Sequence, residues 1–168
     1  MNTGQMMLGV VALGLLTLVV LNSNKNTITT QDSMIYSKGF IVANTVALSL
    51  LDEIASKAYD EEIVNGTSIV NAIDFSSLLK PETGEVYPNF DDIDDYNNFT
   101  KTETVSQMGD FNILVKVEYL TDALVPTIVR TYNKNVTVKV TSPTMINQST
   151  GEVDTLVITS ILSQWRML

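Results

Sequence analysis

The sequence predicts an α+β protein: one long N-terminal α-helix whose second half packs on a C-terminal antiparallel β-sheet head. Three observations carry that expectation. Met6–Leu21, MMLGVVALGLLTLVVL, is an apolar run of sixteen residues without a charge. A second set of apolar residues recurs at helical spacing from Tyr36 to Ala58. From Asp110 onward, apolar and polar residues alternate one by one, the periodicity of a strand with one buried face.

The apolar run comes first. At about 1.5 Å of rise per residue, Met6–Leu21 covers roughly 24 Å, and the uncharged stretch Met1–Asn24 about 36 Å, against a hydrocarbon core of roughly 30 Å. The first charge in the chain is Lys25. The opening MNTGQ holds no Lys or Arg, and no A-x-A-like site follows Leu21, so the pattern is not that of a signal peptide. A membrane anchor fits in length and apolarity. Asn22–Asp32, NSNKNTITTQD, is then built of poor helix formers. Two readings stand for it: a loop between an anchor and a soluble helix, or a stem that is helical when packed and able to melt locally.

Helical periodicity resumes at Tyr36, Phe40, Ala43, Ala47, Leu50, Ile54 and Ala58, a single stripe. Ile41, Val42, Val46, Leu48 and Leu51 are apolar but lie off it. A helix apolar all round has to be covered on more than one side. The stripe is expected to hold the head's own sheet. Ile41, Val42 and Leu48 are expected to meet neighbouring copies.

This N-terminal layout resembles that of type IV pilin-like proteins, the class of pilins and pseudopilins. Met1-Asn2-Thr3-Gly4-Gln5 followed by Met6–Leu21 keeps the family's plan: a first residue, three more, an acidic position, then a long apolar helix. Gln5 stands where the family has glutamate. Gly14 falls where the family often has a glycine within that helix. Ala43–Asp60 looks like the soluble half of the same helix. The resemblance spans about sixty residues, and the head shares only the order of helix then strands. It implies a subunit held in the membrane before assembly and then polymerised by pilus-type machinery into a filament on the cell surface. The implied assembly residues are Gln5, Met6, Met7, Val11, Gly14, Leu15 and Leu18, joined by Ile41, Val42 and Leu48. It also implies that the polar patch melts within the filament.

Composition agrees. The 168 residues leave one head domain after the stem, divided here as stem 1–32 and head 33–168. Within the head a helix is expected over 33–62, an irregular acidic region over 63–109, and strands over 110–168. Cysteine and histidine are both absent, which rules out disulfides, thiolate or imidazole zinc sites and histidine acid–base chemistry. A net charge of −9 argues against nucleic acid. No phosphate-binding loop is present, and the chain is expected not to be an enzyme.

The helix should fray between Asp60 and Asn65, with Asn65-Gly66 as its stop. Lys80-Pro81-Glu82-Thr83-Gly84 reads as a turn. Asp91, Asp92, Asp94 and Asp95 then bring four carboxylates within five residues. They are either a solvated acidic loop or hard oxygen ligands for Ca²⁺, the only cofactor the sequence suggests. Phe90, Ile93, Tyr96 and Phe99, three apart, should pin that segment to the head.

Phe111, Ile113, Val115, Val117 and Tyr119 share one face of the first predicted strand. Val136, Val138 and Val140 share one face of the second, which Ser142-Pro143 should end. Leu156, Ile158 and Leu162 point inward from the last, Thr155–Gln164. Asn-x-Ser/Thr sequons at Asn65, Asn98, Asn135 and Asn147 permit glycosylation without demonstrating it.

Two functions of different class follow. One is the repeating subunit of an extracellular helical filament, a homopolymer built on stem contacts. The other is a minor pseudopilin or a single-pass anchored binding module. A lone anchor has no use for a second helical half that is apolar all round, which favours the filament.

Overall fold

The computed structural model describes residues 2–164; Met1 and the end of the last predicted strand region, 165–168, lie outside them. Helix α1 runs unbroken from Thr3 to Ala55. The Asn22–Asp32 patch is therefore helical, which overturns the loop reading. Propensity explains why: no glycine or proline interrupts the chain between Gly14 and Gly39, and the other residues cost at most about 0.7 kcal/mol each relative to alanine. The hydroxyls of Thr27, Thr29, Thr30 and Ser33 also donate to carbonyls one turn earlier, at 2.8–3.0 Å. These four hydroxyls are thus satisfied on the helix itself.

Helix α1 ends sooner than expected. The Ser56 N–H bonds back to the Asp52 and Glu53 carbonyls, and a separate short helix α2 spans Glu61–Val64. Asp60 caps α2, its carboxylate accepting the Glu62 N–H at 3.3 Å. The Asn65-Gly66 stop read from the sequence closes α2, with Gly66 at φ +73°. Asp60, Glu61 and Glu62 therefore sit at a helix N-terminus, where the dipole favours them, and not at the C-terminus of α1.

The sheet holds β1 (Thr100–Val105), β2 (Gly109–Leu120), β3 (Pro126–Thr127), β4 (Asn133–Ile146) and β5 (Val153–Ser163). Its order is β1-β2-β4-β5, antiparallel throughout, with β3 paired to β2. Strand β1 lies inside the region expected to be irregular. Its sequence, TKTETV, has no fully buried residue, so the apolar alternation that marks β2 is missing. A tight turn joins them, with Gln107 at φ +66° and Gly109 at φ +81°. Strand β4 continues through Ser142-Pro143, where an end was expected. Regular pairing stops at Thr141 and resumes at Ile146, so Pro143 falls in an irregularity where no ladder bond depends on its missing N–H.

The inward residues of β2 and β4, with Ala43, Ala47, Leu50 and Ile54 of α1, form the core. Tyr36 and Phe40 of the stripe are half-buried, and Ala58 lies beyond the helix. The covered face is wider than one stripe. Leu51 is buried, and Val42 and Val46 pack half-buried against the core. At 100° per residue, Leu51 and Val42 flank the stripe on opposite sides, and a sheet reaches past the centre line of the helix resting on it. Val42, expected to meet a neighbouring subunit, packs half-buried against the head's own core. Phe90, Ile93 and Tyr96 are buried and Phe99 half-buried, in an aromatic cluster with ring centroids 5.0–5.8 Å apart, as their spacing predicted.

Candidate functional site: an exposed stem above a sealed ion network

Every residue from Thr3 to Gln31 is exposed. That includes Gln5, Met6, Met7, Val11, Gly14, Leu15 and Leu18, and a Cβ added at Gly14 would meet nothing within 4 Å. The stem is long and apolar enough to cross a membrane, with a mean hydropathy of 2.2 over its best window and none of that window buried. Gln5 is a neutral amide at the first turn, its backbone N–H bonded to the Asn2 carbonyl at 2.8 Å.

Above the stem, the outward face of α1 carries Met34, Ile41 and Leu48. They are 53%, 67% and 45% exposed. Seven residues apart, they fall nearly on one line along the helix. The same interval reaches back to Met6, Leu13 and Val20, all exposed, interrupted only by Thr27. The head covers the opposite side and leaves the apolar run Met6–Leu21 bare. Its last ties are a hydrogen bond from the Tyr36 hydroxyl to Asp154 at 2.6 Å and the close approach of Gly39 to Thr144.

Inside the head, Lys134 is fully buried on β4, in phase with Val136, Val138 and Val140. Its ammonium donates to the Tyr59 carbonyl at 2.6 Å, Asp60 at 2.9 Å and Asp94 at 2.5 Å, with the Tyr59 ring 4.4 Å away. Burial alone would raise the Asp60 carboxyl. Lys134 and the N–H groups of Ser76 and Glu62 outweigh it and hold that carboxyl below its ordinary range. Burial pushes Asp94 up to about 8 against the pull of Lys134. This network joins the start of α2, the acidic segment and the sheet, and it is closed to solvent. Sequence reasoning passed over it, although Lys134 shares its phase with three inward valines, which was the signal for it.

The four predicted Ca²⁺ ligands are not gathered around one point. Asp94 is taken by Lys134. Asp92 accepts the N–H groups of Asp94 and Asp95, and one Asp95 oxygen accepts those of Asp91 and Asp92. Asp91 is exposed. Asp95 instead faces Glu82 and Glu85, with one carboxylate oxygen from each of the three within 4.8 Å of the others. Burial and then neighbouring carboxylates push Glu82 up to about 8 and Asp92 up to about 7.

Among the sequons, Asn65 and Asn98 are exposed. Asn135 and Asn147 are half-buried, and their amides donate to Thr137 and Asp154. Compared with protein families, with curated proteins and with solved structures, the chain matches none.

Proposed function

We propose that this chain is the repeating subunit of a type IV pilus-like filament on the cell surface, held in the membrane by its stem before assembly and polymerised through it afterwards. The single observation that carries this reading is the continuity of α1. One unbroken helix joins a bare apolar stem to an outward apolar line, Met34, Ile41 and Leu48, that the head leaves uncovered. An anchor needs about 20 apolar residues in the bilayer. It does not need an apolar line continuing along the soluble half. Stems of neighbouring copies would cover both, in heterologous contacts that propagate without closing.

The natural chain has no cysteine, which makes the test clean. Ile41→Cys should cross-link between subunits in sheared surface material that shows filaments by negative-stain microscopy. The exposed sites Gln107→Cys and Glu152→Cys, away from α1, should cross-link less. Monomeric, membrane-bound protein with no Ile41 cross-link would leave an anchored module in its place. One feature favours that second reading: on either side of β3, Leu124, Val125, Ile128 and Val129 are exposed, Ile128 by 99%, which suits a head that recruits a partner.

A further inference from the structure

The segment between α2 and β1 contains a feature that neither the stem nor the Lys134 network uses. The turn after Pro81, with Gly84 at φ +101°, brings Glu82 and Glu85 back onto Asp95. Asp95 is 1% exposed, and its Oδ1 has no hydrogen-bond partner. Buried oxygens of Glu82, Glu61 and Asp92 are also without partners. After burial, the carboxyl of Glu82 is raised by a side-chain hydrogen bond with Glu85 and by the negative charges of Glu61, Asp92 and Asp95. An unpartnered buried carboxylate oxygen is expensive, and several facing one another are more so. Two nearby lysines are engaged by other groups: Lys57 donates to the Phe90 carbonyl and Lys134 to Asp60 and Asp94.

We propose that Glu82, Glu85 and Asp95 bind one calcium ion, which fastens the Pro81–Glu85 turn to the core of the head. The spacing suits it. Two oxygens coordinating the same Ca²⁺ at about 2.4 Å lie at most about 4.8 Å apart, and one oxygen from each of the three carboxylates lies within 4.8 Å of the others. The donors are all hard oxygens, with no nitrogen or sulfur among them, which selects against zinc and copper. Carboxylates on a turn and on the short 3₁₀ segment Asp94–Tyr96 can adjust to the irregular six-to-eight coordination of Ca²⁺, whereas Mg²⁺ demands a near-ideal octahedron. Asp95 is the anchor: one oxygen holds the Asp91 and Asp92 N–H groups and the other is left for the ion.

The test uses the full chain in detergent, titrated with CaCl₂ by calorimetry and melted with Ca²⁺, with Mg²⁺ and with EDTA. One ion should bind per chain, and the midpoint should rise with the logarithm of Ca²⁺ concentration. Glu82→Gln and Glu85→Gln keep the shape and remove one charge each. Each should weaken Ca²⁺ by at least about tenfold, a loss of about 1.4 kcal/mol in binding. Each should also melt higher than the natural chain in EDTA, because repulsion is relieved. A purely structural role would move the EDTA melts alone. Glu152→Gln, in an exposed turn, should bind as the natural chain does. No saturable binding at millimolar Ca²⁺, unchanged affinity in both glutamine variants, or an equal response to Mg²⁺ would overturn the proposal. None of these outcomes depends on whether filaments form.

Discussion

From Thr3 to Ile35 every side chain of α1 except Asp32 is exposed, whereas from Gly39 to Ile54 six residues are buried under the sheet. The stem is the more apolar of the two. Its exposure follows from having nothing in the chain to pack on, so apolarity alone does not say what covers a helix. The head half solves burial within one chain and tolerates polar residues on its outer side. The stem half buries nothing within the chain, and under the proposed function a bilayer or other copies cover it. The two halves should therefore fail in different ways when the same kind of change is made in each.

The largest contrast comes from charges. Ile54→Asp places an unpaired carboxylate at a fully buried site and should cost several kcal/mol, enough to unfold the head. Leu15→Lys lies where nothing is packed, so circular dichroism and melting of the head should be unchanged while filaments disappear. Normal polymerisation of Leu15→Lys would reduce the stem to an anchor.

Next come the charges the head keeps. Lys134→Met removes the partner of two buried carboxylates and should destabilise the head by about 3–5 kcal/mol in urea unfolding. Asp94→Asn keeps the Asp60–Lys134 pair, 2.9 Å apart, and should cost far less. Equal losses would mean that Asp94, and not Asp60, holds Lys134.

pH separates the halves again, because the stem has no titratable side chain before Lys25. Burial raises Asp92 to about 7, with Asp95 opposing its charge, and Asp94 to about 8 despite Lys134. A raised carboxyl leaves the folded state holding more protons than the unfolded state between about pH 4 and 8. Head stability should therefore fall as pH rises through that window, by at most about 1.4 kcal/mol per unit for each group. Asp60, lowered, acts only below that window, where its contribution is lost on acidification. Urea midpoints in EDTA at pH 5, 6.5 and 8 check the sign, and a rising series would refute it.

Much of this was legible in the chain. The stem, the Tyr36–Ile54 stripe and the inward faces of β2 and β4 follow from periodicities of 3.6 and 2. What stayed hidden has physical reasons. Strand β1 is an edge strand of Thr, Lys and Glu, whose place is set by pairing to β2 and not by its own pattern. The width of the buried helix face depends on how far the sheet reaches, which put Leu51 inside and drew in Val42. The density of Asp91–Asp95 was visible, but the fold divides it. Asp94 goes to a lysine forty residues on, and Asp95 to glutamates brought back by a turn. No local spacing could show either partner.

The smallest effects come from two glycines of one helix, and they should have opposite signs. Gly39 lies where α1 meets β4. A Cβ there would stand 2.9 Å from the Thr144 hydroxyl, 3.1 Å from Met145 Cγ and 3.2 Å from the Thr144 carbonyl. Gly39→Ala gains about 1 kcal/mol of helix propensity, yet it must push backbone as well as side chain aside. The net effect should be a loss of about 1 kcal/mol. Gly14→Ala meets nothing and should keep the propensity gain, read as higher helix content of the detergent-bound monomer. Assembly then sharpens the comparison. If stems pack on one another at Gly14, the added methyl should lower filament yield while the monomer becomes more helical, because small residues allow helix backbones to approach. Unchanged yield would place the stem–stem contact on another face, along Met6, Leu13 and Val20.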